Sequence, residues 1–128
     1  MSGIRVLVAI SHPGVRMCFQ ESLELPGSIE VVGLAGTGLA LIEAARQLLP
    51  DVILIDFHLP DVRGLEATSN LVRELPSVQV VVLGDEDGEA YREAALGCGA
   101  KAYLPKCVSS DELRRTLLGL GSVNPQPR

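Results

Sequence analysis

At 128 residues the chain fits one domain with a real core, since compact domains most often run to about 100–150 residues. Hydrophobic residues make up 47% of it but aromatics only 3%, so that core must be built from Val, Leu, Ile and Ala, a composition that suits a parallel sheet covered by helices. A net charge of −5 argues against a nucleic-acid groove or an anionic membrane surface as primary partner. No apolar run approaches the roughly 20 residues that span a bilayer, and the start of the chain lacks the charged-then-apolar layout of a signal peptide, so a cytoplasmic location is expected.

Residues 4–10 form the first apolar run of strand length. His12 followed by Pro13 reads as a helix start, with proline in the first turn where its missing amide costs nothing. Val15, Cys18, Phe19, Ser22 and Leu23 then recur at helical spacing and predict a first helix with that face on the core. A second strand is expected over 29–34. GLAGTG, from Gly33 to Gly38, matches neither a dinucleotide fingerprint nor a phosphate-binding loop with its Lys and hydroxyl pair, and reads as a strand-to-helix turn. Leu41, Ile42, Ala45, Leu48 and Leu49 predict the second helix.

Residues 52–55 form a short, wholly apolar strand that ends on Asp56, with His58 two positions on. A third helix follows on Leu65, Leu71, Val72 and Leu75, then a strand over 78–83 and a weaker helix around Tyr91, Ala94 and Ala95. The last strand, 102–104, leads to Lys106. Ser109 with Glu112 three residues later is a capping-box pattern, and Leu113, Leu117 and Leu120 supply the buried stripe of a fifth helix. Residues 121–128 carry Gly, Asn and two Pro without periodicity and read as a frayed tail or linker start, leaving 1–120 as the domain.

Five strand–helix alternations imply a doubly wound α/β domain with a parallel sheet and right-handed crossovers. In such sheets reactive groups gather at the carboxyl ends of the strands, which draws Asp56 and Lys106 toward one crevice. Two roles are open to them from the residues alone: a functional pair, or an ion pair that anchors two loops. His12 and His58 lack further ligands at metal spacing and read as polar loop residues lining the crevice. Cys18, Cys98 and Cys107 show no CxxC spacing, so no disulfide framework or zinc site is suggested, and free thiols, buried or half-buried, are expected.

Three segments carry a resemblance over most of the length. IRVLVAISHPGVR, PDVILIDFHLPDVRG and AALGCGAKAYLPK together resemble the receiver domain of two-component response regulators, in particular the NarL/FixJ-like kind found in front of LuxR-type DNA-binding domains. The resemblance implies a flavodoxin-like fold, a five-stranded sheet in order 2-1-3-4-5, and a non-enzymatic role in phosphorelay signalling and transcription regulation. It places Asp56 at the phosphoacceptor position, Lys106 at the lysine that accompanies it, and Tyr103 at the aromatic switch position.

The departures from that pattern are specific. Ile10 and Ser11 stand where receivers carry the acidic pair that holds magnesium with the phosphoacceptor and a backbone carbonyl, here that of His58. Gly84 replaces the Thr or Ser that hydrogen-bonds the phosphoryl group, Asp85 follows where a small residue is usual, and Cys107 replaces a common proline. A site with one carboxylate holds magnesium weakly or not at all, because the ion prefers hard oxygen ligands and dehydrates reluctantly; assistance from a substrate phosphate at Asp56 and the His58 carbonyl stays open. If Asp85 turns inward it opposes an incoming phosphoryl group, since like charges about 4 Å apart at an effective dielectric near 20 repel by roughly 4 kcal/mol.

The resulting expectation is an atypical, degenerate receiver that needs no cofactor and works through protein contacts, with a histidine kinase, an output domain or a second copy as partners. Its output face would include Tyr91, Tyr103, Arg114 and Arg115. Two alternatives stand beside it: a receiver still phosphorylated on Asp56 by a histidine kinase, and a small-molecule sensor using a vacated pocket between Ile10, Ser11, Asp56, Gly84 and Lys106.

Overall fold

The computed structural model describes residues 3–85 and 88–123, with side chains to residue 120. Ten elements alternate: β1 (Ile4–Ala9), α1 (Pro13–Leu23), β2 (Ile29–Ala35), α2 (Gly38–Leu48), β3 (Val52–Asp56), α3 (Gly64–Glu74), β4 (Gln79–Gly84), α4 (Glu89–Gly97), β5 (Ala102–Pro105) and α5 (Ser110–Val123). The sheet is parallel throughout, in the order β2-β1-β3-β4-β5, as expected. Ile53 pairs with Val80 and Asp56 with Leu83, so the end of β3 lies level with the end of β4.

Strand alternation sorts the core into two layers. Leu7, Ala9, Ile53, Ile55, Val80 and Val82 face one way and pack with Leu41 of α2, Leu71 of α3 and Ala95 of α4. Val6, Val8, Leu54, Val81 and Leu83 face the other, against Leu23 of α1 and Leu113 and Leu117 of α5. Leu117 is fully buried, which contributes about 1.5–3 kcal/mol relative to an exposed position. β3 and β4 are buried along their whole length because both faces are covered.

The helix boundaries follow their caps. His12 is the N-cap of α1, its Nδ1 accepting the Val15 N–H at 3.2 Å, with Pro13 opening the helix. The GLAGTG turn ends β2 and supplies Thr37, whose Oγ1 accepts the Ala40 N–H at 3.1 Å. At α5 the Glu112 N–H donates to Ser109 Oγ at 3.1 Å.

Three expectations are corrected here. Leu49 is not on the buried face of α2: it is the C-cap, in the left-handed region at φ 47°, which turns its side chain into solvent ahead of Pro50. Cys18 and Cys107 are exposed, and only Cys98 is half-buried; Cys18 lines the open cleft between α1 and the start of α5. α5 continues to Val123, three residues into the segment read as a tail, whose last part, 124–128, lies outside the described residues.

Candidate functional site

Asp56 is the last residue of β3 and only 2% exposed. A buried carboxylate needs partners, and its Oδ1 has two: the His58 N–H donates to it at 3.0 Å, and Lys106 Nζ lies 3.0 Å away. The loop after β3 is held against its neighbours by Phe57 N–H donating to Leu83 O and Gly64 N–H donating to Phe57 O, each at 2.8 Å. Gly64 is required there for space, since a Cβ would meet Asp56 O at 2.4 Å.

Lys106 reaches Asp56 from the residue after β5, with its backbone N–H donating to Gly84 O at 2.8 Å. Its ammonium is shared. Asp85, exposed at the mouth of the site, places Oδ1 3.1 Å from Lys106 Nζ, while its Oδ2 lies 4.0 Å from His58 Nε2. Burial pushes the Lys106 ammonium toward lower pKa, but Asp56 and Asp85 outweigh it and hold the group above its ordinary value.

The end of β1 does not open toward these groups. Ile10 is 1% exposed and packs in the layer that holds Val8, Leu54 and Leu83. Ser11 is half-buried. Arg16, one turn into α1, donates from Nη1 to Ile10 O at 2.7 Å and to Ser11 O at 3.4 Å, so a guanidinium sits on the carbonyls at this strand end. Among the described residues no group of three or more His, Cys, Asp or Glu is placed to hold a metal ion.

Gly84, the last residue of β4, is buried beneath Tyr103 of β5, which is 1% exposed. A Cβ on Gly84 would lie 1.9 Å from Tyr103 Oη, so the phenol occupies the space a side chain would take. The Tyr103 ring meets the Phe57 ring edge-on at 6.4 Å between centroids and lies parallel to the Tyr91 ring at 6.5 Å.

The structure thus brings Asp56, His58, Asp85 and Lys106 together, with Gly84 and Tyr103 beside them. Of the residues expected to line a vacated pocket with Ser11, Asp56 and Lys106, Ile10 belongs to the core, and Tyr103 lies over Gly84. Cavities lie to either side of this cluster. One is walled by Phe57, His58, Asp85, Tyr91 and Tyr103; the other, about 180 Å³, lies between α1 and the start of α5 and is bounded by Phe19, Lys106 and Leu113. Arg16 and Asp61 escaped the sequence reading. Asp61, in the loop before α3, accepts the N–H groups of Gly38 and Leu39 and so fills the anion site at the α2 N-terminus with a carboxylate of its own chain.

Residues 6–118 match the family described as the response regulator receiver domain. The chain belongs to that family. Among curated relatives, it is 38% identical to the transcriptional regulatory protein MctR of Rhizobium johnstonii, over 86% of this chain and 51% of that protein. It is 36% identical to the response regulator protein VraR of Staphylococcus aureus, over 96% of this chain and 61% of that protein. The receiver therefore spans about half to three-fifths of the length of these relatives. Among solved structures, the signal receiver domain of the putative response regulator NarL from Mycobacterium tuberculosis superimposes with a TM-score of 0.88 at 32% identity, covering 95% of this chain and 98% of that one. A LuxR-family two-component response regulator from Aurantimonas sp. gives 0.89 at 25% identity, covering 96% and 88%. That membership makes the chain a receiver-type signalling domain. Among the described residues no helix is long and apolar enough to cross a membrane.

Proposed function

We propose that this receiver signals through protein contacts and does not take its input by magnesium-dependent phosphoryl transfer onto Asp56. The observation that carries this is the sharing of one ammonium by two carboxylates: Lys106 Nζ is 3.0 Å from Asp56 and 3.1 Å from Asp85. An incoming phosphoryl group would have to displace Asp85 from the lysine or accept its charge nearby.

Magnesium does not fit the residues present. The ion demands several hard oxygen ligands in near-octahedral order. Here Asp56 is already engaged by Lys106 and the His58 N–H, position 10 is apolar and buried, and the Ile10 and Ser11 carbonyls carry Arg16. The partners consistent with this reading are a histidine kinase, an output domain in a longer protein, or a second copy, all in the cytoplasm.

A second reading has its own support: Asp56 is retained at the end of β3 with Lys106 on it, and the curated relatives are response regulators. On that reading Asp56 is the phosphoacceptor for a histidine kinase, and the donor's phosphate oxygens complete the metal's coordination. Treatment with acetyl phosphate and magnesium, followed by intact mass measurement, decides between them. The proposal expects no stable phosphoryl adduct. Efficient labelling that vanishes in Asp56→Asn establishes the second reading. Restoring acids by Ile10→Asp and Ser11→Asp with Gly84→Thr is expected to raise magnesium binding before it raises labelling.

A further inference from the structure

We infer that the cavity walled by Phe57, His58, Asp85, Tyr91 and Tyr103 is a side-chain pocket for a guanidinium, the end group of an arginine presented by a partner protein. The inference rests on the proposed role in protein contacts only for the source of that group.

The chain has two phenylalanines, two tyrosines and no tryptophan, and three of those four rings meet at this cavity. Phe57 is edge-on to Tyr91 at 5.5 Å and to Tyr103 at 6.4 Å, while the two tyrosines lie parallel at 6.5 Å, so the rings make three sides of a box. An aromatic face attracts a cation placed within about 6 Å of the ring centre. Tyr91, 39% exposed on α4, is the wall that a partner meets first.

Charge points the same way. Asp56 and Asp85 share the one ammonium of Lys106, which leaves a negative charge over at the edge of the cavity. Oδ1 of Asp85 is taken up by Lys106, but among the described residues Oδ2 has only His58 Nε2, 4.0 Å away and beyond hydrogen-bond distance. The Asp85 side chain is 60% exposed, so an N–H arriving from solvent can reach that oxygen.

Size and hydration select the occupant. The cavity measures about 70 Å³, far below the roughly 300–1,000 Å³ of sites that enclose a whole small molecule, so it takes an end group only. Of the two cationic end groups, the guanidinium is planar, stacks on aromatic faces and is weakly hydrated, whereas an ammonium is a compact charge that holds its water.

Titration of the nitrogen-15-labelled chain with acetyl-Gly-Arg-Gly-amide, followed by amide chemical shifts, tests this. Saturable shifts are expected at His58, Asp85 and Tyr91 in the millimolar range. The matching citrulline peptide, with the same shape and no charge, should bind about tenfold more weakly, and the lysine peptide severalfold more weakly. Asp85→Asn and Tyr91→Leu, both at exposed positions, should each weaken the arginine peptide severalfold. Tyr91→Leu keeps every charge, so undiminished binding to it would mean general attraction to an acidic chain and overturns the pocket. Equal binding of the citrulline peptide, or no saturable shift, overturns it as well, and equal binding of the lysine peptide overturns the assignment to a guanidinium. No phosphodonor is present in these titrations. A phosphoryl adduct on a protein that binds the arginine peptide therefore refutes the proposed function and leaves the pocket standing, whereas no adduct and no binding refutes the pocket alone.

Discussion

The carboxylate of Asp61 accepts the Gly38 N–H at 2.7 Å and so joins the loop before α3 to the first turn of α2. Its second oxygen takes the Leu39 N–H at 3.1 Å. These two backbone hydrogen bonds hold the Asp61 carboxyl below its ordinary pKa. A depressed carboxylate contributes stability that is present above its unfolded pKa and lost as pH falls through the folded one. Asp61→Ala is therefore expected to lower the melting temperature at neutral pH. The gap to the parent should close in acid, as melting curves across pH will read; a gap that persists at the acid end would point to packing instead.

The buried pair predicts an asymmetry. Lys106→Met leaves the Asp56 carboxylate 2% exposed with only the His58 N–H as partner, a loss of about 1–3 kcal/mol. Asp56→Asn leaves Lys106 with Asp85 and keeps an oxygen for His58, and is expected to cost less than about 1 kcal/mol. Because the Lys106 pKa is raised, its contribution is complete below the unfolded value and lost as pH rises through the folded one. Urea titrations should thus show the Lys106→Met deficit shrinking only in strong alkali. Equal costs for the two variants would mean that Asp56 is not held by the lysine.

Much of the fold was legible because β3 and β4 are unbroken apolar runs, which only a doubly covered strand needs, and because the helical stripes on Leu41, Leu71 and Leu117 fall where the sheet lies. Asp56 and Lys106 were legible as polar residues at the ends of such runs. Other features could not be read from local pattern. Leu49 keeps the helical period yet faces solvent, since a left-handed cap breaks the period without changing the residues before it. Asp61 acts on Gly38, 23 positions away, and Gly84 acts on Tyr103 across a strand pair; spacing encodes neither contact. That Asp85 turns onto Lys106 was conditional until the geometry of the β4 end was known.

Two glycines are expected to respond oppositely to alanine. At Gly64 the new methyl would meet Asp56 O at 2.4 Å and Phe57 Cα at 2.9 Å, both backbone atoms that cannot step aside, so Gly64→Ala should cost about 1–3 kcal/mol. At Gly119, inside α5, nothing lies within 4 Å and the helix gains propensity, so Gly119→Ala should stabilise by about 1 kcal/mol. Chemical denaturation of both variants checks the pair. A stabilising Gly64→Ala would show that the loop after Asp56 is free to move.

Arg114 and Arg115 part ways. Both sit on the α5 face proposed to meet partners, but Arg114 donates to Ser22 O at the end of α1 and reaches Asp111 at 3.0 Å, so it bolts α5 to α1. Arg115 is exposed, and surface substitutions away from such contacts usually stay within about 0.5 kcal/mol. Arg114→Ala is accordingly expected to destabilise by about 1–2 kcal/mol, because a hydrogen bond from a charged donor is lost and the Ser22 carbonyl with it. Arg115→Glu should leave the denaturation midpoint in place, which makes it the clean probe of association by sedimentation. A fall in stability with Arg115→Glu, or none with Arg114→Ala, would reverse the assignment of structural and surface roles between them.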